Sequence, residues 1–211
     1  MLSLSGVHSV AITNPILRAR VEQSVKDVIL GLTDNGPSGL RPGMAETPAR
    51  YVKAMETLTS GYGVDASSFL KSFKDGAEGY GGLVFQGQIQ LYSLCEHHML
   101  PFFGVAHVGY IPDGKIIGLS KIARLVNMFA QRFQVQERLT RQIAQALEEY
   151  LDPKAVGVVL RCRHMCIEMR GVQKPGTITY TSHLEGDFLH EPEARAEFLK
   201  FVEMADKDVR I

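Results

Sequence analysis

With 211 residues, 45% of them hydrophobic, the chain can bury a sizeable core in one domain with an appendage, and 23 basic against 23 acidic side chains leave no basic excess for nucleic acid. Three Cys make no disulfide framework, and no apolar run approaches the ~20 residues of a membrane span. The first fifteen residues lack the basic start and apolar stretch of a secretory signal, so the expected location is the reducing cytoplasm.

Taken in chain order, the N-terminal quarter reads as helices. Asn14-Pro15 is a start signal, and Leu17, Val21, Val25, Val28 and Leu32 follow at helical spacing. Asp34 to Gly43 is rich in Gly and Pro and reads as a linker. Thr47-Pro48 opens a second helix, with Thr47 as the expected N-cap and Val52, Met55 and Leu58 or Thr59 facing inward. Arg50 and Lys53, three apart, share one side of that helix, by itself the pattern of a solvated face. Ser60-Gly61 ends the helix, and Gly76 to Gly82 is too glycine-rich to be regular.

From Val84 the period changes to two. Gln86, Gln88 and Gln90 alternate with Ile89 and Leu91, which predicts a half-buried strand running into Cys95-Glu96-His97-His98. Phe103 to Ile111 is a second strand, closed by the turn Pro112-Asp113-Gly114. Two helices follow. The first has Ser120 as cap and Ile122, Val126, Phe129, Ala130 and Phe133 on one face; the second carries Val135, Leu139, Ile143, Ala146, Leu147 and Tyr150 and stops at Asp152-Pro153. Val156 to Met169 reads as a long third strand, Thr177 to Ser182 as a fourth, and Pro192 to Ala205 as a closing helix. The order ββααββ places the chain in the α+β class, an antiparallel sheet with helices on one face and an N-terminal helical extension.

The densest chemistry lies at Cys95-Glu96-His97-His98, a thiol, a carboxylate and two imidazoles in four positions. A Cys or His on an apolar strand is usually a core residue. Cys95 and His98, however, stand in a C-x-x-H relation that lets one turn aim both at an ion, and sulfur with imidazole nitrogen suits zinc. A third ligand is expected from Arg163-His164-Met165-Cys166. On a continuous strand Cys162, His164 and Cys166 would share a face, with the two Cys roughly 13 Å apart, too far for both to reach one zinc. One of the two is therefore spare. Cys95, His98 and Cys166 make a three-ligand set with an open fourth position, the pattern of a catalytic zinc, and His97 and His164 remain as free imidazoles.

Two further stretches carry charge at helix starts. In Gly118-Leu119-Ser120-Lys121-Ile122-Ala123-Arg124, two cations in a first turn oppose the helix dipole, a conflict that an anion held by free backbone N–H groups resolves. In Gln134-Val135-Gln136-Glu137-Arg138-Leu139-Thr140, Glu137 in isolation reads as dipole complementation.

Cys-Glu-His-His-Met-Leu-Pro-Phe, Gly-Leu-Ser-Lys-Ile-Ala-Arg, Gln-Val-Gln-Glu-Arg-Leu-Thr and His-Met-Cys before Arg170-Gly171-Val172 together resemble the GTP cyclohydrolase I family, in order and approximate spacing, from about Thr47 to Phe188. The resemblance implies a tunnelling fold whose subunits join sheets into rings, a homodecamer with active sites shared between subunits. It implies hydrolytic opening of the guanine imidazole ring of GTP at C8, release of formate and recyclisation to 7,8-dihydroneopterin triphosphate. By motif match Cys95, His98 and Cys166 would bind one Zn2+ per subunit, in agreement with the spacing, and His97 and His164 would move protons. Glu137 with Gln136 would read the guanine edge. Ser120, Lys121, Arg124 and Arg170 would hold the triphosphate, and Arg50 and Lys53 fit the family's Thr-Pro-x-Arg-x-x-Lys pattern.

The domains expected on this basis are an N-terminal helical region over 1–82, a catalytic tunnelling-fold domain over 83–190 and a C-terminal helix over 191–211 packed on it. A zinc-stapled pterin- or nucleotide-binding protein without turnover is the alternative, and it would need neither His97 nor His164. Arg161-Cys162-Arg163 departs from the small or acidic residues usual in the family before His164. Alternation points both Arg side chains away from the His164 face.

Overall fold

The computed structural model describes residues 11–33 and 39–207. They fall into two compact units divided between Gly63 and Val64. Residues 34–38 of the expected linker, and the first ten residues read for a secretory signal, lie outside the described residues.

In the first unit, α1 (Pro15–Leu32) starts where the sequence indicates: the Asn14 side chain accepts the N–H groups of Ile16 and Leu17 at 2.9 and 3.2 Å, and Pro15 sits where no N–H is needed. α2 (Thr47–Leu58) begins one residue earlier than expected. Thr47 is already helical, and Glu46 holds the cap position without a side-chain bond. Arg18 of α1 pairs with Glu56 of α2, whose carboxylate also accepts the Ile12 N–H at 2.7 Å. Val52 and Thr59 are buried as expected, whereas Leu17, Val28 and Leu32 of the apolar stripe on α1 are exposed.

The second unit contains β1 (Ser72–Phe73), β2 (Val84–Cys95), β3 (Pro101–Ile111), β4 (Ile116–Ile117), α3 (Leu119–Ala130), β5 (Phe133–Gln134), α4 (Gln136–Leu151), β6 (Ala155–His164), α5 (Met165–Glu168), β7 (Ile178–Gly186), α6 (Asp187–His190) and α7 (Pro192–Asp206). The long strands and α3 and α4 give the ββααββ order of an α+β domain. The main sheet runs β5-β2-β3-β6-β7, antiparallel throughout except for a two-residue parallel pairing of β5 with β2.

Strand alternation divides the core in two. On one face Leu125, Val126, Ile143 and Leu147 of α3 and α4 pack with Phe102, Ala106, Val108, Val158 and Leu160. The closing helix takes the opposite face, where Phe198 and Val202 of α7 and Phe188 of α6 cover Ala155 and Val159. Gly109 and Gly157 make that approach possible: a Cβ at either position would come within 2.8 or 2.9 Å of the Phe198 ring.

The third strand is shorter than its composition suggests. Its pairing with β3 ends at His164 and with β7 at Arg163, so beyond His164 no neighbouring strand can satisfy the backbone. The chain turns instead into the single turn of α5, closed by the Met169 N–H on the Met165 carbonyl at 3.1 Å. Cys166 therefore does not share a strand face with Cys162. Three smaller differences follow. β7 extends to Gly186; Phe133 leaves the helix to form β5; and Ser120 is the second residue of α3 behind Gly118, not its cap.

Candidate metal centre and active site

Cys95 closes β2, clamped between Leu94↔Pro101 pairing to β3 and Cys95↔Gln134 pairing to β5. The chain then reverses tightly. Cys95 donates its N–H to Leu100 O at 2.8 Å and accepts the Met99 N–H at 2.8 Å, with Met99 left-handed at φ 55°. This turn swings both imidazoles back, placing His97 Nδ1 3.7 Å and His98 Nδ1 4.0 Å from Cys95 Sγ. Cys166 approaches from α5, and ligand atoms of Cys95, His98 and Cys166 lie within 4.8 Å of one another. Bond lengths of about 2.0–2.3 Å in a tetrahedron give ligand–ligand edges of about 3.5–3.8 Å, so the triad is within about one ångström of a zinc site. Burial, then the adjacent Cys95 sulfur, raise the Cys166 thiol above its ordinary pKa. Two soft donors beside an imidazole form a donor set that a divalent cation would stabilise. The residues present fit a metal.

His164 ends β6 with its ring stacked on Phe102, centroids 4.7 Å apart and planes at 8°. Burial holds its pKa below the usual imidazole value, and the charge of Glu137 offsets this in part. Its Nε2 meets Gln136 Oε1 at 2.7 Å. Gln136, expected at the guanine edge, has its side chain turned into the protein: its Nε2 donates to Leu160 O, Thr179 O and Thr181 Oγ1 at 3.3, 3.0 and 3.0 Å. Two carbonyl acceptors fix the NH₂ end, so Oε1 faces the imidazole and His164 carries its proton on Nε2. Nδ1 is left as the basic nitrogen.

Glu137, one residue on, points the other way. It is exposed at the start of α4 and lines a cleft of about 530 Å³ together with Arg141, Thr181, Ser182 and His183. At the start of α3, Ser120 and Arg124 are exposed and Lys121 half-buried, with no acidic residue in that turn. Among the described residues Lys121, Arg124 and Arg170 make no ion pair, and the charge of Arg170 reaches Cys166. Arg50 and Lys53 lie exposed on α2 in the first unit, Arg50 paired with Glu46 at 2.5 Å.

A sequence model of the family described as GTP cyclohydrolase I matches residues 21–203. The chain belongs to the GTP cyclohydrolase I family. It is 54% identical over 168 residues to a GTP cyclohydrolase 1 of Nitrosospira multiformis, covering 80% of this chain and 88% of that one. Its identity to a GTP cyclohydrolase 1 of Campylobacter lari is 48% over 196 residues, 92% of this chain and all of the relative. Among solved structures it is similar to the archaeosine synthase QueF-Like in the apo form, with a TM-score of 0.42 and 17% identity over 49% of this chain and 93% of that one.

Of the residues that the resemblance to GTP cyclohydrolase I singles out, the fold brings together Cys95, His97, His98 and Cys166, and separately His164 with Gln136. Two ion pairs beside them were not read from the sequence. Arg138 grips Glu96 with both nitrogens, at 2.6 and 2.9 Å, tying the Cys95–His98 turn to the first turn of α4. Arg163 grips Glu168 across Cys166. Glu96 and Arg138 sit inside conspicuous motifs, yet nothing in either stretch announces a partner 42 residues away. His183, which lines the cleft beside Glu137, lies on β7 beyond the Ser182 end expected for that strand.

Proposed function

We propose that this chain is a zinc-dependent GTP cyclohydrolase I. The reaction opens the guanine imidazole ring of GTP at C8, releases formate and recloses the product as 7,8-dihydroneopterin triphosphate, the first step of tetrahydrofolate and pterin biosynthesis. The observation that carries the reading is the convergence of Cys95, His98 and Cys166 within 4.8 Å, with the His97 imidazole beside them and outside the metal set.

Zn2+ held by Cys95, His98 and Cys166 would supply Lewis acidity and an acidified water, the chemistry that hydrolysis at an amidine carbon requires. His164, neutral and fixed by Gln136 with its proton on Nε2, accepts a proton at Nδ1. His97, whose Nδ1 faces the Cys95 sulfur, exchanges protons through Nε2 on its exposed side. Between them the two imidazoles serve the ring nitrogen and the ribose oxygen. Glu137 accepts guanine N1–H and N2–H with its two oxygens, and Gln136 acts behind it by orienting His164. Ser120, Lys121, Arg124 and Arg170 hold the triphosphate, where unpaired cations and the free N–H groups of a helix start favour an anion. Arg50 and Lys53 contribute to substrate binding from α2.

The catalytic domain on this reading is 83–190, preceded by residues 1–82, whose described α-helices are α1 and α2, and followed by the closing helix. Its active unit is a homodecamer with sites shared between subunits. The two open edges of the sheet, β7 and the first part of β2, support ring formation by edge pairing. A cytoplasmic location accords with three free Cys and with the absence, among the described residues, of any helix long and apolar enough to cross a membrane. The deciding experiment is incubation with GTP, oxidation of the product and detection of fluorescent neopterin together with formate. Absence of both from zinc-loaded protein would refute the activity.

A further inference from the structure

Cys166 is the one member of the metal set that lies outside β2 and its turn. It sits in the connection from β6 to β7, residues 165–177, which also carries Arg170. This segment has little regular structure. α5 is one turn long, too short to be stable by itself, and Gly171, Gln173 and Gly176 all have positive φ, at 65°, 48° and 77°. Something must hold Cys166 at a fixed distance from Cys95 and His98.

The fork between Arg163 and Glu168 spans it. Arg163 is the last residue of β6 paired to β7, and it points to the face opposite Cys162 and His164. Its Nε and Nη2 donate to Glu168 Oε1 and Oε2 at 2.8 and 2.5 Å. The guanidinium also lies 5.8 Å over the Phe103 ring of β3, anchoring the cation to the sheet. Glu168 is buried, and the backbone N–H of Gly176, on the far side of the loop, also favours its charged form. Both contacts, the arginine first, keep that carboxyl below the usual carboxylate range. The two partners stand three residues before and two residues after Cys166.

We infer that Arg163 and Glu168 form a positioning clamp that holds Cys166 in place and governs how long the site retains its metal. The inference rests on the zinc reading above. It also gives Arg163, half of the unusual Arg161-Cys162-Arg163 stretch, a purpose: the residue before His164 carries the cation that locks the loop after it. A planar fork suits this task, because two parallel hydrogen bonds fix orientation as well as distance. With the fork broken, α5 can swing and the third ligand leaves more often.

The test is release of zinc from the purified zinc-loaded protein to an excess of chromophoric chelator, followed at fixed pH and temperature. Glu168→Gln and Arg163→Met are expected to release zinc roughly 10–100-fold faster than the wild type, the range found when groups that orient metal ligands are removed. Arg163→Lys keeps the charge without the fork and should fall between, and because it perturbs folding least it keeps the question answerable if another variant misfolds. Exchanging the pair, Arg163→Glu with Glu168→Arg, should recover most of the retention. Release within about twofold of wild type in Arg163→Lys and Glu168→Gln, even with a lowered Tm, would mark a merely structural ion pair and overturn the clamp. Wild-type protein that takes up no zinc would overturn the metal reading and the clamp together, so the two failures are distinguishable.

Discussion

His164 Nε2 lies 2.7 Å from Gln136 Oε1, and the amide that makes this contact is held at its other end by two backbone carbonyls and a hydroxyl. An amide in solution can present either end to an imidazole. Here three acceptors from β6 and β7 leave only the oxygen for His164, so the sheet itself selects the tautomer.

Replacing Gln136 by Met should therefore affect chemistry more than binding. General acid–base catalysis by a positioned side chain is worth roughly 10²–10⁴ in rate, and loss of orientation forfeits part of that. kcat for GTP is expected to fall at least about tenfold, with zinc content unchanged and KM moving much less. The variant will also lose stability by about 1–3 kcal/mol, because buried carbonyl groups lose their donor. A lowered Tm with normal kcat would show that Gln136 serves the fold alone.

How far the site could be read from the sequence depended on how local each contact is. Cys95 and His98 meet through a five-residue turn, so their spacing was enough. Cys166 was legible by residue type, but the continuous strand that set its distance from Cys162 does not survive the turn after His164: pairing partners run out there, and a strand's end depends on its neighbours, not on its own composition. The ββααββ order was legible from periodicity, since 3.6 and 2 are properties of single elements. What α7 covers was not, because it is decided by the space that Gly109 and Gly157 leave on the far face. The contacts of Gln136 were not legible for a related reason. It neighbours Glu137 in the chain, but successive helical residues point about 100° apart, and its partners lie 24 to 45 residues away.

Cys162 and Cys166 should separate cleanly in a metal assay. Cys162 is fully buried among apolar side chains on the α3–α4 side of the sheet, and burial pushes its thiol up to about 12, so it stays a neutral core group. Cys162→Ala is expected to keep about one zinc per subunit and lose only packing energy, whereas Cys166→Ser should lose the metal and the activity together. Zinc quantified per subunit in the two purified variants decides the matter, and retention by Cys166→Ser would remove it from the ligand set.

A pH effect on stability is expected from His107, far along β3 from the metal turn. The ring is fully buried, stacks on Phe85 with centroids 6.1 Å apart, and has its Nε2 3.1 Å from Asp206 Oδ1 of α7. Arg161 of β6 lies 3.7 Å from the same carboxylate oxygen, and Tyr180 of β7 bonds its other oxygen at 3.4 Å. Burial lowers the pKa of His107, Asp206 opposes that shift, and Arg161 adds to it. A His whose folded pKa lies below its unfolded value binds fewer protons folded than unfolded. Its contribution is therefore complete above about pH 6.5 and is lost as pH falls from there through the folded pKa, by at most about 1.4 kcal/mol per pH unit. Denaturant midpoints at pH 7.5 and 5.5 should show this loss in the wild type and a smaller one in His107→Gln. Equal losses in both would assign the acid sensitivity to other groups.

Choice of base is predicted to rest on Glu137. Guanine presents N1–H and the exocyclic N2–H side by side, two parallel donors that one carboxylate accepts with both oxygens, and adenine has no such pair. Glu137 is placed for this: it is exposed in the cleft between α4 and β7, and among the described residues it makes no ion pair that would have to be broken. A site built around a polar partner rejects an analogue lacking it by up to roughly 10⁴ to 10⁵. A hydrogen bond to a charged group is worth about 1.5–3 kcal/mol net. Glu137→Gln can still accept one bond but opposes the second donor with its own NH₂ group. GTP turnover is therefore expected to fall at least about tenfold, with zinc content and oligomeric state unchanged. The competing role is complementation of the α4 dipole, worth about 0.3–1 kcal/mol of stability. On that account the variant melts slightly earlier and handles GTP normally. The geometry favours base recognition, since α4 has no side-chain cap and its first turn opens onto the cleft that Glu137 lines. Measuring kcat/KM for GTP beside Tm separates the two roles, and unchanged kinetics would leave Glu137 with the dipole alone.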